Sequence, residues 1–118
     1  MLVYTTFIAF ISCDKPLPAF SDVDLKIWNE DKGACLGKRA GMEDALQRQK
    51  EKFIGLTEMQ VVTLLGRPDH NELYKRNQKF YYYLIQPSKD CGTANTENPR
   101  ELTIRFTAMG IANEVSIE

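Results

Sequence analysis

Residues 55–69 read Gly-Leu-Thr-Glu-Met-Gln-Val-Val-Thr-Leu-Leu-Gly-Arg-Pro-Asp, and this stretch decides where the helical part of the chain ends. Thr57 can cap a helix, and Gln60, three residues later, completes a capping box. Gly66 favours the left-handed backbone that ends a helix, and Pro68 prevents the helix from resuming. The stretch therefore predicts a helix that begins after Thr57 and ends before Gly66.

A second helical pattern precedes this helix, from residue 42 to residue 53. Met42, Ala45, Leu46 and Phe53 fall on one side of it, and charged residues fall on the other. Residues 29–41 carry three glycines and read as a loop. Residues 20–28 are partly apolar and are expected to dock on the core.

After Pro68 the spacing of apolar residues changes to that of strands. Residues 70–75 form a polar candidate strand, and residues 79–86 form an aromatic one. Residues 102–107 alternate between apolar and polar, and residues 111–117 return after a turn. The order α-α-β-β-β-β predicts an α+β fold, with a two-helix layer on one face of a three- to four-stranded antiparallel sheet.

The aromatic strand contains three consecutive tyrosines, whose side chains must alternate between the two faces of the sheet. Phe80 and Leu84 lie beside Tyr82 and make the more purely apolar row, which we expect under the helices. Tyr81 and Tyr83 are then exposed, as a surface for a protein partner. In the alternative assignment those two rings belong to the core and Tyr82 takes the surface position.

The N-terminal segment has the character of an export signal. Residues 1–12 are uncharged and largely apolar, and they are too few to span a bilayer as a helix. The segment resembles the end of a bacterial lipoprotein signal, which predicts a lipid on Cys13. The predicted organisation is a signal peptide at 1–12, a linker at 13–22 and a single domain at 23–118. The alternative is an N-terminal strand or helix that ends in an ordinary cysteine.

Two cysteines, Cys35 and Cys91, remain once Cys13 is assigned to the lipid. An even number of cysteines in an exported chain favours a disulfide between them. Closing so long a loop would stabilise the fold by about 4 kcal/mol on the chain-entropy model. The alternative is two unrelated buried thiols. No CxxC or CxxH spacing supports zinc.

The composition and motifs disfavour several classes of function. The net charge of -1 and the pI of about 5.9 argue against a nucleic-acid partner. No glycine-rich phosphate loop follows a strand, so no nucleotide cofactor or small-molecule substrate is indicated.

Catalytic and metal-binding residues are not evident either. His70, the single histidine, stands beside Asp69 and could serve as a general base, but no nucleophile is placed near it by the sequence. We expect it to be a solvated residue, and we expect the protein not to be an enzyme. Two carboxylate pairs lack the glycine of a calcium loop: Asp22 with Asp24, and Asp90 with Glu97.

Several of these residues together carry a resemblance to a known family. They are Gly55-Leu56-Thr57, then Val61 or Val62, then Leu65-Gly66-Arg67-Pro68-Asp69, the aromatic strand Phe80 to Tyr83, and the terminal strands with Phe106 and Gly110. Over residues 53–118 the chain resembles the SmpA/OmlA family of small outer-membrane lipoproteins, which includes the BamE component of the β-barrel assembly machine.

The resemblance implies a two-helix layer on an antiparallel sheet and a non-catalytic role in outer-membrane protein assembly or envelope integrity. The implied partner is an envelope or outer-membrane protein, and the implied location is the outer membrane, facing the periplasm. Asp14 follows the lipid site directly, and it does not decide whether the protein is sorted to the inner or to the outer membrane. Secreted β-lactamase inhibitor proteins share this fold, so a secreted inhibitory domain is the alternative function.

Overall fold

The computed structural model describes residues 17–92 and 98–118, and within them helices precede a sheet. Three short α-helices, α1 (Leu25–Glu30), α2 (Glu43–Gln49) and α3 (Glu58–Leu65), come first. Four antiparallel strands follow: β1 (His70–Tyr74), β2 (Gln78–Leu84), β3 (Glu101–Phe106) and β4 (Ala112–Ile117), which neighbour one another in chain order. The predicted α+β class with an antiparallel sheet is confirmed.

The helical layer differs from the prediction by one element, α1. The carboxylate of Asp24 accepts hydrogen bonds from the N–H groups of Lys26 and Ile27, at 3.0 and 3.1 Å, and so caps this helix. Trp28 of α1 is fully buried in the core. The segment is therefore a third helix of the layer rather than an irregular stretch lying against it.

Helix α3 has the ends that its sequence predicts. The Thr57 hydroxyl accepts from the Gln60 N–H, and the Gln60 side chain accepts from the Thr57 N–H. Gly66 ends the helix with a φ of 80°. A side chain at Gly66 would collide with the amide of Asn29, which donates to the Leu64 carbonyl at 3.0 Å and ties α1 to α3. Glycine is therefore required here for its backbone and for its lack of a side chain.

One face of the sheet is covered by the helices and forms the core. Leu102, Ile104 and Phe106 of β3 alternate as buried residues on that face. They belong to one cluster with Trp28, Leu46, Phe53, Val61 and Leu65 of the helical segments. No helix in the described residues is long and apolar enough to cross a membrane.

The two edge strands of the sheet, β4 and β1, differ in what lies beside them. The segment before α3 lies along β4, where the Gly55 N–H donates to the Ala112 carbonyl and the Ala112 N–H donates to the Leu56 carbonyl, both at 2.8 Å. Thr57 also bridges to Ile111. At the opposite edge lies β1, whose five residues are all exposed. Residues 55–57 thus cover the start of β4, and no strand among the described residues pairs with the outer side of β1.

Candidate protein-binding surface

The prediction that Tyr81 and Tyr83 are both exposed is wrong. Tyr83 is 0% exposed, and its hydroxyl donates to the Gly66 carbonyl at 2.8 Å. Tyr81 is half-buried, with its ring 4.7 Å from that of Phe106 and its hydroxyl 3.0 Å from a Glu58 carboxylate oxygen. Both tyrosines belong to the face that the helices cover.

The cause of this reversal is the register of the sheet. Tyr83 lies opposite Leu102 and Tyr81 lies opposite Ile104, and residues directly opposite each other share a face. A tyrosine can be buried at position 83 because its hydroxyl donates a hydrogen bond to the Gly66 carbonyl at the end of α3. The hydroxyl bond between Tyr83 and the Gly66 carbonyl could not be inferred from the pattern of one strand.

The opposite face carries a row of three aromatic rings, which we call the open-face aromatic strip: Tyr74, Phe80 and Tyr82. The rings of Tyr74 and Phe80 meet edge to face at 5.7 Å, and those of Phe80 and Tyr82 stack at 6.2 Å. Phe80 and Tyr82 are half-buried, as Tyr81 is, and Tyr74 is exposed. The surface position therefore falls to Tyr82, as in the alternative assignment, and Phe80 joins it.

Polar side chains flank the open-face aromatic strip and give it an amphipathic character. The guanidinium of Arg105 lies 5.6 Å from the centre of the Phe80 ring, and Arg105 also pairs with Glu114 at 3.5 Å. The Tyr82 hydroxyl donates to Glu72 at 3.2 Å. Partial desolvation, with Glu72 nearby, raises the pKa of Tyr82 above its ordinary value. Aromatic rings with an arginine beside them are the residues enriched at protein interfaces.

A small cleft at one end of this face contains the histidine. His70, Glu72, Tyr82 and Glu101 line a volume of about 250 Å³. Burial raises the pKa of Glu101, and the nearby His70 partly opposes this rise. The cleft lies beside the aromatic strip and is continuous with the same face through Tyr82.

The sequence neighbours Asp69 and His70 do not act as a pair. The Asp69 carboxylate accepts from the Arg39 guanidinium at 2.8 Å, from the Leu84 N–H at 2.7 Å and from the Gly33 N–H at 3.0 Å. These contacts point Asp69 into the protein, whereas His70 is exposed. Asp69 therefore has a structural role, and its position beside His70 in the chain carries no catalytic geometry.

Asp69 belongs to a buried polar network that the sequence did not indicate. Arg39 is 2% exposed and donates to the Trp28 carbonyl at 3.0 Å and to the Leu84 carbonyl at 3.1 Å. Its guanidinium also lies 4.4 Å from the centre of the Trp28 ring. Asp31, fully buried, accepts from the Arg39 N–H at 3.0 Å. This network fixes the loop between α1 and α2 against the sheet.

The two remaining cysteines meet beside this network. Cys35 and Cys91 lie at disulfide distance, with their Cα atoms 5.4 Å apart. Cys91 follows β2 in a short 3-10 turn, and Cys35 belongs to the loop that Arg39 anchors. The pair connects that loop to the segment between β2 and β3.

The carboxylates weighed as metal ligands, and the predicted lipid site, remain to be placed. Asp24 caps α1, and Asp22 pairs with Arg48 at 3.7 Å, so neither is held as a metal ligand. Within residues 17–92 and 98–118 no group of three or more histidine, cysteine or carboxylate side chains is arranged to hold a metal. Cys13, the signal peptide at 1–12 and Glu97 lie outside the described residues.

Comparison with models of known families, with curated proteins and with solved structures finds no match for this chain. The fold and the surface define a small α+β domain with one covered and one open sheet face.

Proposed function

We propose that this chain is a non-catalytic envelope lipoprotein that binds another protein through the open face of its sheet. The observation that carries the proposal is the open-face aromatic strip of Tyr74, Phe80 and Tyr82, with Arg105 beside it. Such rings bury a large rigid surface at little cost in conformational entropy when a partner docks.

The shape of this face suits a macromolecule better than a small ligand. Its cleft measures about 250 Å³, whereas pockets for drug-sized ligands usually range from about 300 to 1,000 Å³. The strip itself is a row of one exposed ring and two half-buried rings on a sheet, which a partner surface can cover.

The membrane anchor is supported by the N-terminal sequence. The uncharged residues 1–12, followed by Cys13 and the proline-containing linker, are typical of a lipid-modified exported chain. The lipid would hold the domain at the outer membrane, facing the periplasm. The Cys35 and Cys91 pair at disulfide distance suits an oxidising compartment.

The partner class follows from the resemblance to the SmpA/OmlA family. Helices followed by four antiparallel strands are compatible with the BamE-like layout, although α1 adds a third helix. We therefore propose an outer-membrane or envelope protein as the partner and a supporting role in outer-membrane protein assembly or envelope integrity.

The anchor is tested by fractionation and intact-mass analysis of the chain expressed in a bacterial envelope. We expect loss of residues 1–12, added acyl mass on Cys13, and release from the membrane in Cys13→Ser. A mature chain that retains Met1 and lacks acyl mass would refute the anchor. A soluble exported chain that inhibits a secreted enzyme would support the secreted inhibitor instead.

The binding face is tested separately with a photo-crosslinking amino acid at position 80 or 82, in cells. The matched control is position 36, because Leu36 is 63% exposed but lies on the loop held by Arg39 rather than on the open face. We expect a discrete crosslinked protein from positions 80 and 82 and none from position 36. Equal crosslinking from all three positions would refute a specific open-face site.

A further inference from the structure

The open edge of the sheet is the remaining feature without a role. β1 is the outermost strand, and all five of its residues are exposed, whereas at the opposite edge residues 55–57 bond to the start of β4, at Ile111 and Ala112. An edge strand presents a row of backbone N–H and carbonyl groups that another chain can pair with. Among the described residues, β1 therefore offers a free template along its whole length.

This edge has only some of the features that usually prevent such pairing. β1 reads His-Asn-Glu-Leu-Tyr, with no proline and no lysine, and it pairs with β2 in unbroken register. The irregularity in this sheet lies elsewhere, between β3 and β4 at Arg105 and Phe106. Natural edges are blunted by short length, by charged side chains such as lysine, by proline and by bulges; β1 is short and has one charged residue, Glu72, but it has no proline and no bulge, so its backbone groups are available.

The surroundings of β1 define what it could accept. Leu73 is 69% exposed and shares a cleft of about 200 Å³ with Asn71, Glu72, Lys79 and Tyr81. The turn that follows β1 carries Lys75 and Arg76, both exposed. An apolar side chain would pack on Leu73, and a carboxylate would complement the basic turn.

We propose that β1 binds an extended acidic segment of a partner protein as a fifth strand. An apolar residue of that segment packs on Leu73, and carboxylates at one end face Lys75 and Arg76. Binding depends neither on the lipid anchor nor on the open-face aromatic strip, so it goes beyond the function proposed above.

A second copy of this chain fits the same edge less well. Antiparallel pairing of two β1 strands about Glu72 would place the two Glu72 carboxylates opposite each other, which is unfavourable. Pairing about Leu73 would place Asn71 opposite Lys75. In neither register does a free carboxylate reach the basic turn, so charge complementarity favours a different, acidic chain.

The test is an NMR titration of the full chain, carrying Cys13→Ser so that no lipid contributes. The probe is an acetylated peptide of two glutamates followed by alternating threonine and valine, because antiparallel addition puts its N-terminal end beside the basic turn. We expect saturable changes at the amides of residues 70–74. The same peptide with lysines in place of its glutamates should bind more weakly.

Two variants separate this site from a general surface effect. Leu73→Lys protects the edge and should abolish the changes, whereas Leu36→Lys, at a leucine of similar exposure, should leave them intact. The double variant Lys75→Glu with Arg76→Glu should weaken binding about three- to tenfold, as expected for two exposed ion pairs. It also serves as the second test if Leu73→Lys fails to fold.

Several results would overturn the proposal. They are the absence of saturable changes at residues 70–74 at millimolar peptide, equal binding by the lysine peptide, and equal effects of Leu73→Lys and Leu36→Lys. Protection of these amides by anionic vesicles but not by peptide would assign the edge to a membrane and would likewise reject the proposal. Concentration-dependent dimerisation through the same amides, with no peptide binding, would assign it to a second copy.

Discussion

Replacing Arg39 with alanine should destabilise this protein more than any exposed charge substitution. Arg39 is 2% exposed, and its partner Asp69 is 13% exposed, with 2.8 Å between the paired atoms. Removing one member of a buried pair typically costs about 3 to 5 kcal/mol, because the other charge stays buried without compensation. Folded domains are stable by only about 5 to 15 kcal/mol, so this loss is a large fraction of the total.

The contacts of Arg39 explain why Arg39→Ala should lower the free energy of unfolding by this much. Its guanidinium satisfies the carbonyls of Trp28 and Leu84 as well as the carboxylate of Asp69. It also covers the Trp28 ring, a cation–π contact worth about 0.5 to 2 kcal/mol. Arg39→Lys keeps the charge but cannot reproduce the forked geometry, so it should fall between the wild type and Arg39→Ala.

The assay is urea unfolding, with Arg48→Ala as the matched control. Arg48 and its partner Asp22 are 67% and 80% exposed and lie 3.7 Å apart, so their pair should contribute about 0 to 1 kcal/mol. The double variant Arg39→Ala with Asp69→Asn should recover part of the loss, because it removes the stranded charge. Equal losses from Arg39→Ala and Arg48→Ala would refute the reasoning.

Three further predictions concern the tyrosines and cysteines. Tyr83→Phe removes a buried hydrogen bond and should lower the free energy of unfolding by about 0.5 to 1.5 kcal/mol. Tyr82→Phe removes an exposed hydrogen bond and should lower this free energy by less. Urea unfolding of the two variants measures the difference. Burial and the neighbouring Glu58 raise the pKa of Tyr81 to about 12. Folding therefore favours the neutral form of this tyrosine. Its contribution to the free energy of unfolding should be lost as the pH rises from about 10 through 12. Tyr81→Phe should reduce that slope in urea unfolding between about pH 9 and 12; an unchanged slope would contradict the assignment. Non-reducing peptide mapping should find Cys35 bonded to Cys91, and two free thiols in the native protein would refute this. Replacing both cysteines with serine should lower the free energy of unfolding by about 4 kcal/mol, because the bond closes a loop with a sequence separation of 56.

The parts of the fold that sequence predicted well are those governed by local chemistry. The capping box at Thr57 and the stop at Gly66 depend only on residues a few positions away. The local sequence is therefore enough to predict helix α3. Helix α1 was missed because it has only six residues and its capping signal, Asp24, precedes no extended periodic pattern.

The candidate site was less predictable because its geometry depends on long-range partners. Both faces of β2 are apolar enough for a core, so the strand alone could not show which face the helices cover. The choice is settled by the contacts of Tyr83 with Trp28 and with the end of α3. The network of Asp31, Arg39 and Asp69 likewise joins residues far apart in the chain, and local patterns carry no signal for it.

The difference between the two sheet edges follows from the order of elements along the chain. The strands form a meander that starts directly after α3, so no strand within residues 17–69 precedes β1 and could pair with it. The segment that leads into α3 is already held against β4 by the bonds of Gly55 and Leu56 to Ala112. It therefore cannot also cover β1, which lies three strands away across the sheet. Because the helices come first and the meander second, the described part of this chain covers neither the open face nor the β1 edge.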